Sequence, residues 1–328
     1  MRAVVTGGSG FLGSHLMQEL ERRGDRPVAL ARPGSRAGDA LEAAGHEVAR
    51  EDLRRPGDGL RSLLAEADAV YHLASGIAGG WRATFDTNVT ATENLVDALR
   101  AAAFRGRLVH VSSFSVYGLN QLEPGSLVDE STPVEPEPWR RDDYAWTKVL
   151  QERVIRRLEG EEGPELVVVR PGTIYGRERR FHYRLGRPLG DGALLVLGGR
   201  NTLPLTYVEN TASLLAEAGR HPAAPGEVFN AVDPGELNQF GYVRRWRAAP
   251  DGPRVVIPFP LAPLRMAGWA LQRAERRTGG RLSPPAFLDP YVMEPSMRRF
   301  RWAPSRAIEL LGWQPPVPLE DALSRTFG

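Results

Sequence analysis

The feature that most constrains the fold is a glycine-rich turn near the start of the chain. Gly7, Gly10 and Gly13 are spaced three residues apart, after the apolar residues 3–5 and before a helical pattern that ends near Gly24. Glycines here permit a tight turn and a close approach of the backbone to a phosphate, and the following helix N-terminus offers free N–H groups. A glycine loop that binds no ligand has the same local pattern, so the surrounding strands and helices must show whether this turn binds a phosphate.

Strand-like apolar runs alternate with helical patterns through the first half of the chain. The runs lie at residues 28–31, 46–50, 69–73, 107–112 and 166–170. Most are separated by helical patterns around residues 37–44, 60–67, 82–103 and 143–159. This alternation is typical of βαβ units and predicts an α/β fold with a parallel sheet and helices on both faces. Glycine and proline enrichment predicts loops at 116–138, 171–192 and 250–263.

The composition is that of an ordinary globular protein. Charged residues make up 25% of the 328 residues, hydrophobic residues make up 42%, and the net charge is +2. No run of like charges indicates nucleic-acid binding, and no apolar run approaches the roughly 20 residues that span a bilayer. Cysteine is absent and no histidine pair has metal-ligand spacing, so we expect no metal site. With no visible signal peptide, we expect a cytoplasmic protein.

Lys148 is the only lysine in a chain with 42 lysines and arginines together. It lies four residues after Tyr144, on the same face of a predicted helix. An ammonium in this position stabilises the phenolate and lowers the pKa of a tyrosine from about 10 towards neutrality. Tyr144 would then be a usable general acid or base, for which the point charge of lysine is not replaceable by arginine. The alternative is an ordinary surface pair on a solvated helix.

The second strand-like run ends at Arg32, where NAD-binding folds usually place an acidic residue against the adenosine ribose. No Asp or Glu lies between positions 28 and 38. Arg32 and Arg36 could instead bind a 2′-phosphate, which favours NADP over NAD. The alternative is that Arg32 is simply an exposed cation in an arginine-rich sequence.

These and later motifs together resemble the extended short-chain dehydrogenase/reductase family, also called the NAD-dependent epimerase/dehydratase family. The resemblance is carried by residues 6–13, 52–53, 70–74, 88–89, 111–118, 144–148, 170–176, 207–210 and 307–315. It implies a doubly wound parallel Rossmann sheet with a smaller C-terminal substrate-binding subdomain. The expected NAD(P)-binding domain is 1–171 with returning segments near 200–232. The expected substrate-binding subdomain is 172–199 and 233–328.

The resemblance also implies roles for individual residues. Ser113 would hydrogen-bond the substrate oxygen, Tyr144 would transfer a proton, and Lys148 would hold the nicotinamide ribose. Asp52 would contact the adenine, although an aspartate in a loop also commonly caps nearby backbone. The cofactor-binding residues that it implies are Gly7, Gly10, Phe11, Leu12, Gly13, Arg32, Asp52, Leu53, Leu73, Ala74, Asn88, Tyr144, Lys148, Pro171 and Ile174.

Two departures from the family pattern narrow the expected reaction. Dehydratases and decarboxylases of this family carry acidic residues just after the catalytic Ser or Thr, but this chain has Phe114 and Ser115 there. Nucleotide-sugar epimerases often carry an arginine where this chain has Leu203. Arg298, Arg299 and Arg301 lie later in the chain and could replace it.

We therefore expect hydride transfer at a secondary alcohol or ketone of a small-molecule substrate. The first interpretation is a ketoreductase or epimerase of a sugar-like metabolite, including nucleotide sugars, with dehydratase and decarboxylase activities disfavoured. A second is an NADPH-dependent reductase of a non-sugar ketone, which Leu203 favours. A third is a catalytically idle cofactor-binding regulator, against which the intact set Ser113, Tyr144 and Lys148 argues.

Two surfaces suggest partners. The patterns at 82–103 and 143–159 carry apolar stripes, and in the resembling family these helices pair across a two-fold axis, so we predict a homodimer with Leu95, Leu99 and Val154 at or near the contact. The alternative is that the stripes face the sheet of the same chain. Residues 261–277 mix apolar residues with arginine, which predicts an amphipathic helix packed on the subdomain. Contact with a membrane surface is the alternative, without stable insertion.

Overall fold

The computed structural model describes residues 1–160, 162–190, 192–279 and 288–328. The strands are β1 (Arg2–Thr6), β2 (Arg26–Ala31), β3 (Glu47–Arg50), β4 (Ala69–His72), β5 (Arg107–Val111), β6 (Leu127–Val128), β7 (Glu165–Pro171), β8 (Thr173–Tyr175), β9 (Arg187–Leu189), β10 (Ala193–Leu197), β11 (Leu205–Tyr207), β12 (Val228–Ala231), β13 (Val255–Phe259) and β14 (Arg301–Trp302). The α-helices are α1 (Phe11–Arg22), α2 (Arg36–Ala43), α3 (Gly59–Ala65), α4 (Gly80–Phe85), α5 (Ala91–Ala101), α6 (Asp143–Ile155), α7 (Val208–Ala218), α8 (Gln239–Trp246), α9 (Leu261–Thr278), α10 (Pro290–Met297), α11 (Ser305–Leu311) and α12 (Leu319–Phe327).

A seven-stranded parallel sheet in the order β12-β7-β5-β4-β1-β2-β3 forms the centre of the structure. Successive residues of a strand point to opposite faces, so Ala3 and Val5 pack with α1 and α7, while Val4 packs on the other face with α3, α5 and α6. Helices on both faces bury both sides of the sheet, which explains why its strands are almost continuously apolar. The predicted doubly wound Rossmann fold is confirmed.

Three segments predicted as loops contain strands. Residues 116–138 include β6, residues 171–192 include β8 and β9, and residues 250–263 include β13 and the start of α9. Each of these strands is short, and all but β9, which pairs with the adjacent β10, have a partner distant in sequence: β6 pairs with β14, β8 with β11 and β13 with β10. Such strands depend on tertiary pairing, which local glycine and proline content does not reveal. The division into two domains stays a prediction, although β12 does return to the central sheet beside β7.

The predicted contact residues of a homodimer lie inside the monomer. Leu95, Leu99 and Val154 are 0%, 1% and 3% exposed and belong to the core under one face of the sheet. Placing them at a subunit contact was therefore wrong, because the apolar stripes of α5 and α6 face the sheet of their own chain. Asp97 and Arg100 are among the residues on the outward side of α5. The homodimer itself stays a prediction.

A buried ion pair fixes α6 against the sheet. The guanidinium of Arg170, near the end of β7, donates from Nη2 to Oε1 of Glu152 at 2.5 Å and from Nε to Oε2 at 3.1 Å. Ser112, just after β5, donates to Oε2 of Glu152 at 2.5 Å. Burial opposes ionisation of Glu152, but the hydrogen bonds and charge of Arg170 outweigh it and lower the pKa of Glu152 to about 2.

Replacing Glu152 by glutamine tests this pair. Removing one partner leaves the Arg170 charge buried and uncompensated, which costs about 3–5 kcal/mol of unfolding free energy. We expect that loss in urea denaturation at pH 7, followed by circular dichroism. Glu159→Gln, which removes a partly exposed partner of Arg156, is the matched control and should change little.

The same pair predicts a pH dependence. The folded-state pKa of Glu152 is lowered from 4.5 to about 2. Its stabilisation is therefore complete above the unfolded-state pKa and is lost as the pH falls towards 2. The gap in stability between the parent and Glu152→Gln should narrow over that range. Equal unfolding free energies of the two proteins at pH 7 would contradict the assignment.

Candidate active site

A cavity of about 550 Å³ runs along the carboxyl ends of the central strands. Thr6, Ala31, Val111 and Pro171, the last residues of β1, β2, β5 and β7, all line it. This edge is where open α/β sheets bind ligands, and the volume is in the usual range of about 300–1,000 Å³ for small-molecule sites. The predicted cofactor residues that line it are Gly7, Gly10, Phe11, Leu12, Gly13, Arg32, Asp52, Leu53, Leu73, Ala74, Tyr144, Lys148, Pro171 and Ile174.

The glycine turn leaves a part of the cavity wall free of side chains at the start of α1. Gly7 has φ +73°, and a side chain on Gly13 would place Cβ 2.1 Å from the carbonyl oxygen of Gly7. Gly10 caps α1 and presents no side chain to the cavity. The first N–H groups of a helix have no partner within the helix, so this end favours an anion. The residues present fit the pyrophosphate of a dinucleotide.

Basic and acidic side chains together line the far end of the cavity. Arg32 is exposed there beside Ser35 and Asp52, whereas Arg36 does not line the cavity. Arg54, which the sequence reasoning missed, donates from Nη2 to Oδ2 of Asp52 at 2.6 Å. Hydrogen bonding to Arg54 holds the pKa of Asp52 below its ordinary value. The only sequence signal for Arg54 as a cavity residue is its position two residues after Asp52.

Asn88 does not line the cavity but supports its wall. It is fully buried in a π-helical turn, Asp86–Thr90, between α4 and α5. Its side-chain oxygen accepts from the N–H of Gly76 at 2.6 Å, and its Nδ2 donates to Oγ1 of Thr147 at 2.9 Å. Gly76 and Ser75 line the cavity, and Thr147 lies between Tyr144 and Lys148 on α6. Asn88 therefore fixes the loop that contains Ser75 and Gly76 against α6.

Lys148 is buried beneath the cavity. Its Nζ donates to the carbonyl oxygen of Val111 at 2.8 Å and to Oε1 of Gln151 at 2.5 Å. Lys148 is only 1% exposed, so the alternative of a solvated surface pair is wrong. Burial lowers the pKa of Lys148 to about 7, although the charge of Glu152 opposes this. Gln151 is a second residue that the sequence reasoning missed.

Two buried histidines lie near Lys148. The rings of His72 and His110 stack with their centroids 5.5 Å apart. Burial, followed by the charge of Lys148, lowers the pKa of His72 to about 3 and that of His110 well below its ordinary value. Both rings are therefore neutral at pH 7, and they add no positive charge to that of Lys148. Gln151 donates to Oγ1 of Thr92 at 3.0 Å, and the same Oγ1 also bonds to the ring of His72.

Tyr144 lies in the first turn of α6, where it lines the cavity, and Ser113 is close enough to its phenol to affect the pKa of Tyr144. Ser113, just after β5, is not itself among the lining residues. Burial raises the pKa of Tyr144 to about 12, although the nearby Ser113 hydroxyl lowers it in part. The prediction that the pKa of Tyr144 is lowered is therefore wrong, and the Lys148 ammonium bonds to Val111 and Gln151. Tyr144 is thus a neutral phenol that can donate a proton.

Arg179 is a further cavity residue that the sequence reasoning missed. It lies in the segment after β8 and lines the cavity together with Tyr144 and the glycine turn. Its charge acts to lower the pKa of Tyr144. Only the folding of the segment after β8 over the sheet edge brings this arginine near Tyr144, so no local sequence signal reveals it.

The chain is similar in sequence and in fold to several known proteins. The sequence model of the NAD dependent epimerase/dehydratase family matches residues 3–231. The chain is 30% identical to a 3 beta-hydroxysteroid dehydrogenase/Delta 5-->4-isomerase of Mycobacterium tuberculosis, over 98% of this chain and 88% of that protein. It is 31% identical to sterol demethylase protein B of Methylococcus capsulatus, over 87% and 85%. A UDP-glucuronic acid 4-epimerase from Bacillus cereus, solved with NAD, shares the fold at a TM-score of 0.74 and 21% identity, covering 100% and 97%.

Lys148→Arg tests the buried lysine. A guanidinium is wider and planar, so it does not reproduce the bonds of the buried ammonium to the Val111 carbonyl and Gln151, and we expect the cation to be displaced. Loss of a charge-assisted hydrogen bond of about 1.5–3 kcal/mol should weaken cofactor binding at least about tenfold. The measurement is fluorescence titration with NADH and NADPH, with Arg153→Lys on the exposed side of α6 as the control. Unchanged affinity in Lys148→Arg would refute the role of Lys148.

Proposed function

The chain belongs to the NAD dependent epimerase/dehydratase family, and we propose that it transfers hydride between NAD(P) and a secondary alcohol or ketone of a lipophilic, non-sugar metabolite. The observation that carries the reaction type is that Tyr144 lines the cavity four residues before the buried Lys148 on α6, with the Ser113 hydroxyl close to its phenol. A proton donor, a second hydrogen-bonding hydroxyl and a buried cation are what reduction of a ketone requires.

Each residue has a defined part in this reaction. A bound nicotinamide dinucleotide supplies or accepts the hydride. The glycine turn would hold its pyrophosphate, Arg32 and Asp52 its adenosine end, and Lys148 its nicotinamide ribose. Tyr144 donates its phenolic proton to the oxygen of the reduced carbonyl and takes it back in the oxidation. Ser113 hydrogen-bonds that oxygen and orients the phenol.

The lipophilic substrate rests on several observations. Leu203, at the position where nucleotide-sugar epimerases often carry arginine, is 4% exposed and packs in an apolar core with Val196 and Leu205. Ile77 is 58% exposed and lines the cavity. The exposed Tyr183 is close enough to Tyr144 to raise its pKa. The names of the hydroxysteroid dehydrogenase and the sterol demethylase protein support the same class.

A sugar-like substrate is the second candidate. A separate cavity of about 450 Å³ is lined by Arg200, Arg299 and Arg301, together with Glu236 and Asn238. These arginines could hold a diphosphate and so replace the arginine that is missing at Leu203. A panel containing ketosteroids, long-chain ketones and UDP-sugars separates the two candidates. Cofactor turnover with UDP-sugars alone would reject the lipophilic class.

A cytoplasmic homodimer remains part of the proposal. Two-fold dimers are the commonest oligomers of soluble proteins, which is its support. The contact would lie away from Leu95, Leu99 and Val154, which are buried.

Tyr144→Phe removes the proton donor and keeps the ring. We expect turnover to fall by roughly 10²–10⁴-fold, the usual contribution of general acid catalysis. NADPH affinity should stay close to that of the parent, because the glycine turn and Lys148 are unchanged. The measurement is initial rate with the best ketone of the panel. A variant that retains more than about a tenth of the activity is incompatible with Tyr144 as the acid.

The preference for NADP rests on Arg32. Arg32→Asp removes a charge-assisted phosphate contact of roughly 1.5–3 kcal/mol, so NADPH affinity should fall at least about tenfold while NADH affinity is maintained or improves. Arg36→Asp, four residues along and outside the cavity lining, is the matched control. If the unmutated protein binds NADH more tightly than NADPH, the NADP proposal is wrong.

A further inference from the structure

The helix α9 presents apolar side chains to solvent. Met266 is 68% exposed and Trp269 is 59% exposed, and Ala262, Ala267 and Ala270 are exposed beside them. A surface helix ordinarily turns polar residues to solvent and apolar residues inward. The N-terminal half of α9 reverses this arrangement, because its outward side carries no charged residue.

The opposite side of α9 is the one that packs on the protein. Gly268 is buried, and a Cβ there would lie 2.3 Å from the carbonyl oxygen of Leu288. Gln272 donates to Asp289, just before α10, at 3.0 Å. These contacts fix the rotation of the helix, so the outward position of Met266 and Trp269 follows from packing on the other side.

The C-terminal half of the outward side is cationic. Arg273, Arg276 and Arg277 are exposed, and within the described part of the chain their guanidinium groups have no hydrogen bond or ion pair. Glu275 is the one acidic residue of α9, and it is half-buried and has a partner of its own. The outward side thus combines an unpaired apolar region with three uncompensated positive charges.

We propose that α9 binds the surface of an anionic lipid bilayer. Tryptophan is favoured at the membrane–water interface, where its ring is buried and its N–H stays hydrated. Arginines next to such a ring are attracted to lipid phosphates and to the negative potential of an anionic leaflet. None of the described helices is long and apolar enough to cross a membrane, so α9 lies on the surface and does not span it.

Charge complementarity favours a lipid surface over a second copy of this chain. A symmetric contact through the same side would bring two sets of Arg273, Arg276 and Arg277 into one interface, and like charges oppose such pairing. An anionic bilayer offers a negative charge opposite every arginine. The inference does not depend on the substrate, since binding to lipid is measured without turnover.

Sedimentation of the full chain with lipid vesicles tests the proposal. We expect binding to vesicles of phosphatidylglycerol and phosphatidylcholine, weaker binding to phosphatidylcholine alone, and release by salt. Met266→Ser combined with Trp269→Ser should lower the partition coefficient at least about tenfold, because apolar burial drives interfacial binding. Val255→Ser is the matched control, since Val255 is 53% exposed on β13 and lies outside α9.

A second variant changes only exposed charges and tests the proposal independently. It combines Arg273→Gln, Arg276→Gln and Arg277→Gln. This variant should lose the preference for anionic vesicles and the sensitivity to salt. The proposal is overturned if the parent does not sediment with anionic vesicles, if the serine variant binds like the parent, or if Val255→Ser loses binding equally. It is also overturned if light scattering shows a dimer in the parent that the serine variant abolishes, since α9 would then be a contact between copies.

Discussion

The buried ion pair between Glu152 and Arg170 determines where the proposed catalytic residues lie. It joins α6 to the end of β7, and the hydrogen bond from Ser112 adds the end of β5. These are the segments that carry Tyr144, Lys148 and Ser113. Removing two charges from water is costly, and the pair is tolerated because several hydrogen bonds satisfy it. A rigid junction of this kind positions a proton donor far more accurately than a surface loop would.

Burial also sets the protonation states in the site. Lys148, with its pKa lowered to about 7, lies near two histidines that stay neutral. Tyr144, with its pKa raised to about 12, keeps its proton at neutral pH. Desolvation dominates both shifts, and the ammonium bonds to Val111 and Gln151, not to the phenol. The site therefore holds a protonated phenol, Tyr144, and a lysine, Lys148, whose pKa is close to neutrality. A protonated phenol is the proton donor that reduction of a carbonyl needs.

Much of the fold could be predicted because its signals are local. The glycine turn depends on backbone conformation, and the alternation of apolar runs depends on strand and helix periodicity. The strands β8 and β13 were missed because each forms only with a partner distant in sequence. Leu95, Leu99 and Val154 were placed on the wrong side of their helices, since an apolar stripe does not say which surface covers it. Arg54, Arg179 and Gln151 enter the site through tertiary folding, which spacing cannot reveal.

The proposed hydride transfer in this cavity, with Tyr144 transferring the proton, is tested most directly with NADPH or NADH deuterated at the transferred position of the nicotinamide. The reaction is a single turnover with a ketosteroid or a long-chain ketone. We expect an alcohol that carries the deuterium, detected by mass spectrometry, together with oxidised cofactor. Binding of the cofactor without deuterium transfer to either the ketones or a sugar nucleotide would contradict hydride transfer and would indicate a cofactor-binding regulator.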